Sequence, residues 1–257
     1  MKSILCLAAV ATLSALASPA FADEAPSAPV TPAAPAAEPL SFNLGVVSDY
    51  RYRGISQTRL KPALQGGVDY AHASGFYVGA WASTIKWIKD AGGKADVELD
   101  LYGGYKTEIA PGLTLDVGGL QYVYARNQLH PSANTFELYG ALSYGVFTAK
   151  YSHSTTNLFG FADSKNSGYL DLSAAVDLGD GLTLTPHVGH QTVRHLGSAS
   201  YTDYSLTLAK DLSSLSAGLV LSAGVVGTDA QRAAYTSAVD AKFLGKTALV
   251  LGLKKSF

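Results

Sequence analysis

Asp49, Arg51 and Arg53 stand at alternate positions in the segment NLGVVSDYRYRGISQ, residues 43–57. In an extended chain these three charges share one face, because successive side chains of a strand point to opposite sides. Mixed-sign charges that line a constriction set up a transverse field, which orders ions and dipolar solutes. A plainer use is to pair with charges on other strands and hold a wall together. Glu98, Asp100, Asp171 and Asp177 are the available partners and, like Lys106, take the polar parity of their own segments. These eight residues are the candidates for a lumen or its mouth. Tyr50 and Tyr52 fall on the parity opposite the arginines. Each has an apolar ring and a polar tip, the make-up of a girdle residue where hydrocarbon meets headgroups.

Other chemistry is thin. The histidines at 72, 130, 153, 187, 190 and 195 have no metal-binding spacing. His187 and His190, three apart, diverge to opposite faces of a strand, and His153 diverges from Ser154 in the same way. No Ser, His and acid can be assembled from neighbouring strands, so no enzyme activity is expected. Gly-Gly pairs at 66–67, 103–104 and 118–119 lie inside strands, where they relieve crowding or permit curvature. None precedes a helix as a phosphate-binding loop does, and no cofactor is expected. Gly54 reads as a turn.

The elements that would position these residues follow a period of two. Val97, Leu99 and Leu101 alternate with Glu98, Asp100 and Tyr102; Leu170 and Leu172 alternate with Asp171 and Ser173; Tyr204, Leu206 and Leu208 oppose Asp203, Ser205 and Thr207. Strands are expected near 41–53, 62–71, 75–83, 96–107, 113–124, 134–144, 147–155, 168–178, 181–193, 200–210, 216–226 and 246–257. Segment 227–245 could add a hairpin strand or a short helix. The connections alternate short and long, with both chain ends on the short side, as in an even-stranded membrane barrel. The expected fold is therefore all-β, a transmembrane antiparallel barrel of about twelve strands spanning residues 41–257. Its lumen is narrow, and inward Trp81, Tyr102 and Lys106 would fill much of it.

Composition agrees with that class. Charged residues are 15% of the chain, against roughly 25% in soluble domains, while tyrosine (15) and glycine (26) are abundant. Mean hydropathy is slightly positive, yet beyond the N-terminal segment no apolar run approaches the roughly 20 residues of a membrane helix. Near-neutral charge without a basic block argues against nucleic acid as a partner. At the start, Lys2, an apolar stretch over 4–17 and Ala20-Phe21-Ala22 read as a signal peptide of residues 1–22. Its removal leaves no cysteine. Residues 23–40 form a Pro/Ala-rich flexible segment. At the other end, Phe257 shares parity with Leu249, Leu251 and Leu253, while Lys255 breaks the apolar series and would have to snorkel to headgroups.

Segment 43–57 resembles the opening strand and first loop of the TorF-type (Gcw_chp) family of outer-membrane porins. The resemblance continues in Pro62-Ala63-Leu64-Gln65-Gly66-Gly67, in Glu98–Tyr105 (ELDLYGGY) and in the terminal Lys254-Lys255-Ser256-Phe257. It covers the barrel but not the Pro/Ala tract. It implies a channel-like protein of the Gram-negative outer membrane, in contact with lipid and lipopolysaccharide. The terminal aromatic resembles the signal read by barrel-assembly machinery. The expected function is passive diffusion of small polar solutes or ions. The competing one is a non-conducting structural, adhesion or binding barrel whose lumen is plugged.

Overall fold

The computed structural model describes residues 39–257. The expected signal peptide and all but the last two residues of the Pro/Ala segment lie outside the described residues. In chain order the elements are β1 (Leu40–Val47), β2 (Arg51–Tyr52), β3 (Ile55–Ser56), β4 (Ala63–Ala71), β5 (Phe76–Thr84), the short helix α1 (Trp87–Asp90), β6 (Val97–Ala110), β7 (Leu113–Val123), β8 (Thr135–Tyr144), β9 (Phe147–Ser154), β10 (Gly168–Ala174), β11 (Val176–Asp177), β12 (Leu182–Thr192), β13 (Tyr201–Asp211), β14 (Leu219–Thr228) and β15 (Ala248–Ser256). All of them except β2, β3 and α1 form one antiparallel sheet. It closes on itself where β1 pairs with β15, Asn43 facing Ser256 and Val46 facing Leu253. Phe42 and Phe257 exchange backbone hydrogen bonds of 3.3 and 2.9 Å at the seam. Closure leaves no unpaired edge, which is the condition for strands in hydrocarbon.

The wall has twelve strands, because β10 and β11 are one strand interrupted at Ala175. The cause stands across the ladder. Ser173 faces His187 and Val176 faces Leu184, so the break lies opposite Thr185-Pro186. Proline has no N–H to give to that ladder. On its other side Ala175 still donates to Val146 O at 2.8 Å. Segment 227–245 adds neither a barrel strand nor a helix. It is a loop closed by a single bridge between Thr236 and Phe243, and the count stays at twelve.

Alternation sorts the side chains as the period of two requires. Phe42, Leu44, Val46, Leu99, Leu101, Leu170, Leu172, Leu206, Leu221, Leu249 and Leu251 face outward and are exposed, an apolar surface suited to hydrocarbon. Bulky aromatics crowd the outer face near the short turns: Tyr70, Phe76, Tyr144, Phe147 and Phe257, with Phe76 against Tyr105 at 4.9 Å. Lys255 sits on the outward parity, and its ammonium reaches Ser216 Oγ (2.9 Å) and Ala217 O in a turn. The stem covers apolar wall while the charge leaves it.

Candidate functional site

The first long connection does not project outward. β1 ends at Val47, and Ser48 fastens the end of the wall: its N–H donates to Leu251 O (2.8 Å) and its Oγ accepts from Leu251 N–H (2.9 Å). The chain then turns into the lumen as a hairpin, with Arg51 paired to Ser56 and Tyr52 to Ile55. Arg53 (φ 45°) and Gly54 (φ 76°) make its two-residue tip. Positive φ at both central positions is the type I′ geometry that matches strand twist, and glycine adopts it without strain. Asp49 braces the base by accepting Arg51 Nε and Ser56 Oγ, each at 2.5 Å.

Every residue from Asp49 to Thr58 is buried, because the hairpin reaches across to the facing wall. Arg53 is 0% exposed. Its guanidinium donates to both Glu137 oxygens on β8 (2.7 and 3.2 Å) and to Gln191 Oε1 on β12 (2.6 Å). It also lies over the rings of Tyr169 (4.1 Å) and Tyr52 (4.7 Å). A planar fork between a carboxylate, an amide and two rings is a use that lysine could not fill. Tyr52 donates to Tyr122 Oη on β7 (2.9 Å), and Tyr50 to Glu98 Oε1 on β6 (2.5 Å). Arg51 reaches the carbonyls of Leu244 (3.2 Å) and Lys246 (3.0 Å) in the last long loop. Ile55 packs with Tyr201, Ala230 and Leu244, while Phe159 stacks edge-on to Tyr52 and Tyr122. The loop-side half of the lumen is filled.

The turn-side half is polar and partly open to water. Tyr102 donates to Asp69, and Tyr77 donates to Asp116 at 2.6 Å while touching Tyr139. Lys106 faces Asp116 across the ladder. Lys150 lies 4.1 Å over the Tyr139 ring. His187 stands between Asp171 (2.7 Å) and Asp203 (3.5 Å), and Tyr169 donates to Asp203 at 3.0 Å. Asp69, Tyr77, Lys106, Asp171 and His187 are all half-buried. Outside the barrel wall, Arg59 of the first loop pairs with Asp90 of α1. Lys89 bonds Asp96 at 2.7 Å and holds that exposed carboxylate below its usual range.

The sequence candidates are thus distributed over two levels. Glu98, Asp100, Lys106 and Asp171 project inward from the wall, and Asp49, Arg51 and Arg53 lie inside the lumen on the hairpin. The hairpin corrects the expected strand 41–53, which stops six residues earlier. It also corrects Tyr50 and Tyr52: they are 2% and 9% exposed inside the barrel and belong to no girdle. Asp177 stands exposed at the turn-side rim, where it accepts Gly179 N–H at 2.8 Å. Glu137, Gln191 and Tyr169, which grip the hairpin tip, and Asp203, which accepts from Tyr169, were not singled out from the sequence. The available signal was a carboxylate at the inward parity of TFELYG, 135–140. Among the described residues, no group of three or more His, Cys, Asp or Glu converges as a metal cage.

The architecture has solved counterparts. The KdgM porin superposes with a TM-score of 0.54 at 8% identity, covering 84% of this chain and 99% of that one. A structure of KdgM porin in complex with disordered oligogalacturonate gives 0.51 at 8% identity, with 85% and 98% covered. The NanC porin gives 0.52 at 10% identity, again over 85% and 98%. At such identities the likeness is one of fold, and this chain is a porin-like β-barrel. The comparison with curated proteins returned no match. A family model described as "Bacterial protein of unknown function (Gcw_chp)" matches residues 31–257, and the chain belongs to that family.

Proposed function

We propose that this protein is an outer-membrane channel for ions and small polar solutes whose passage is governed by the hairpin at 49–58. The observation that carries this reading is the contrast within one lumen. Half-buried Asp69, Tyr77, Lys106, Asp171 and His187 lie on the turn side of a closure made by a loop, not by the wall. A wall-made plug would be permanent, whereas a loop held largely by polar contacts can leave and return. The barrel itself supplies the mechanism, a closed backbone that shields a polar path from hydrocarbon. It needs no cofactor and performs no catalysis. A like-folded porin, KdgM, in complex with disordered oligogalacturonate supports the general use of this architecture.

The complete burial of the hairpin favours a second reading, a non-conducting structural or adhesion barrel. Conductance in planar bilayers separates the two. The native protein should give small, intermittent steps, larger for ions than for disaccharides, and a variant with residues 51–56 replaced by Gly-Ser should conduct steadily. Silence from both, with correct insertion shown, would remove the channel reading.

The same reading places the outer face against lipid and lipopolysaccharide and assigns Phe257 to recognition by barrel-assembly machinery. Phe257 faces outward and is 70% exposed, so it contributes little to packing within the barrel. Deleting it should reduce folded protein in outer membranes far more than refolding in detergent; equal losses in both would mean it acts only through packing.

A further inference from the structure

The charges around the hairpin are paired with one exception. Asp49 is bonded to Arg51, and Glu137 to Arg53. Glu98 and Asp100, two apart on β6 and both inward, have no cationic partner among the described residues. Glu98 is 1% exposed and accepts hydroxyls from Tyr50 and Tyr124. Asp100 is 8% exposed, and its Oδ1 is buried with no hydrogen-bond partner. Each carboxylate lies in the field of the other, and Glu137 adds to that at Asp100. Two neighbouring carboxylates out of water are costly unless something positive joins them.

We propose that Glu98 and Asp100 hold a partly hydrated divalent cation, of the magnesium or calcium class, beneath the hairpin. Two negative charges match one divalent ion, and such ions are commonly held by one or two carboxylates while keeping several waters. Asp100 lies one inward position nearer the turn side than Glu98, toward the half of the lumen that water reaches. Its unused oxygen gives the ion an inner ligand. Glu98 bonds Tyr50, so the ion would also stiffen the side of the hairpin opposite Arg53. The inference stands whether or not the barrel conducts, since binding is measured without transport.

Terbium serves as the probe, because oxygen ligands bind it and aromatic side chains excite its emission. Trp81 faces Asp100 across the ladder and is 5.5 Å from Tyr50. Folded protein in detergent should give saturable terbium emission through tryptophan, displaced by calcium or magnesium. Asp100→Asn should weaken terbium binding at least tenfold, while Asp177→Asn at the exposed rim should leave it unchanged. Unaltered emission in Asp100→Asn would overturn the site as an adventitious ion only. A second measurement needs no variant: magnesium or calcium should raise the thermal midpoint of the native barrel relative to chelator. No shift, together with an infrared band of a protonated carboxyl that vanishes in Asp100→Asn, would put a proton where the cation is proposed.

Discussion

The two halves of the lumen are lined by the same residue types, yet they are in different states. On the turn side, Asp69, Tyr77, Lys106 and Asp171 are half-buried; Asp69 accepts from Tyr102, Tyr77 donates to Asp116, and Asp171 meets His187. On the loop side, Tyr50, Tyr122, Glu98, Glu137 and Arg53 are each no more than 2% exposed. The wall does not account for the difference, since the same twelve strands run through both levels with the same alternation. The hairpin does. One loop brings two tyrosines and two arginines into a space that the strands alone would leave wet. The closure is therefore a property of a short connection, and on the proposed reading it can be altered without altering the wall.

Arg53→Ala should break that contrast most. It leaves Glu137 buried without its cation and Gln191 without its donor. Removing one partner of a buried pair costs about 3–5 kcal/mol, or roughly two to nearly four orders of magnitude in the docking equilibrium of the hairpin. Expected results are long-lived open steps in bilayers and modification of a cysteine at Ser56 by a polar reagent that does not reach it in the native barrel. A variant as closed and as protected as the native protein would show that the aromatic contacts alone hold the hairpin.

Gly54→Val should act more weakly and through the backbone. The position has φ 76°, and a Cβ there would overlap Thr228 Cγ2 and come within 2.8 Å of Asp203 Cβ. A left-handed β-branched residue costs of order 1–3 kcal/mol, so the hairpin should dock less often while the wall remains intact. A changed wall, seen as a lower denaturation midpoint of the whole barrel, would mean that the tip supports the fold as well as the closure.

The wall was legible in the sequence and the closure was not, for a physical reason. Leu99, Leu101, Leu170 and Leu172 report their side of the sheet because lipid and lumen impose opposite polarity on neighbouring residues. That rule holds while the chain stays in the wall. In SDYRYR, residues 48–53, the alternation continues after the wall has ended, since a hairpin inside the lumen is also extended. Tyr50 and Tyr52 fit a headgroup girdle by local pattern, because a tyrosine packed against lumen aromatics has the same alternation. What distinguishes the two is long-range: Glu98 and Tyr122 on one side, Glu137 and Gln191 on the other. No local period contains those contacts. The Arg53-Gly54 tip between Tyr52 and Ile55 was the only local sign of a hairpin. The interruption at Ala175 was hidden for the same reason, since its cause, Pro186, lies on the neighbouring strand.

The smallest effect belongs to the open half, and it is the sharpest check on the contrast. Tyr77→Phe removes one hydroxyl, which donates to Asp116 and touches Tyr139. In a dry site this would strand a carboxylate, and the loss would include its desolvation. Asp116 is 7% exposed but faces Lys106 across the ladder, and a water replacing the hydroxyl of half-buried Tyr77 would bond it in turn. The cost should therefore stay within about 1 kcal/mol, the net worth of an ordinary hydrogen bond. Hairpin docking should not change, because the hydroxyl removed bonds Asp116 and Tyr139 and no residue of 49–58. The experiment pairs urea denaturation of the refolded variant with its conductance. A midpoint close to native and an unchanged open probability are expected. A loss as large as that of Arg53→Ala would mean that the turn-side chamber is as dry as the loop side, and the division of the lumen into two states would fail.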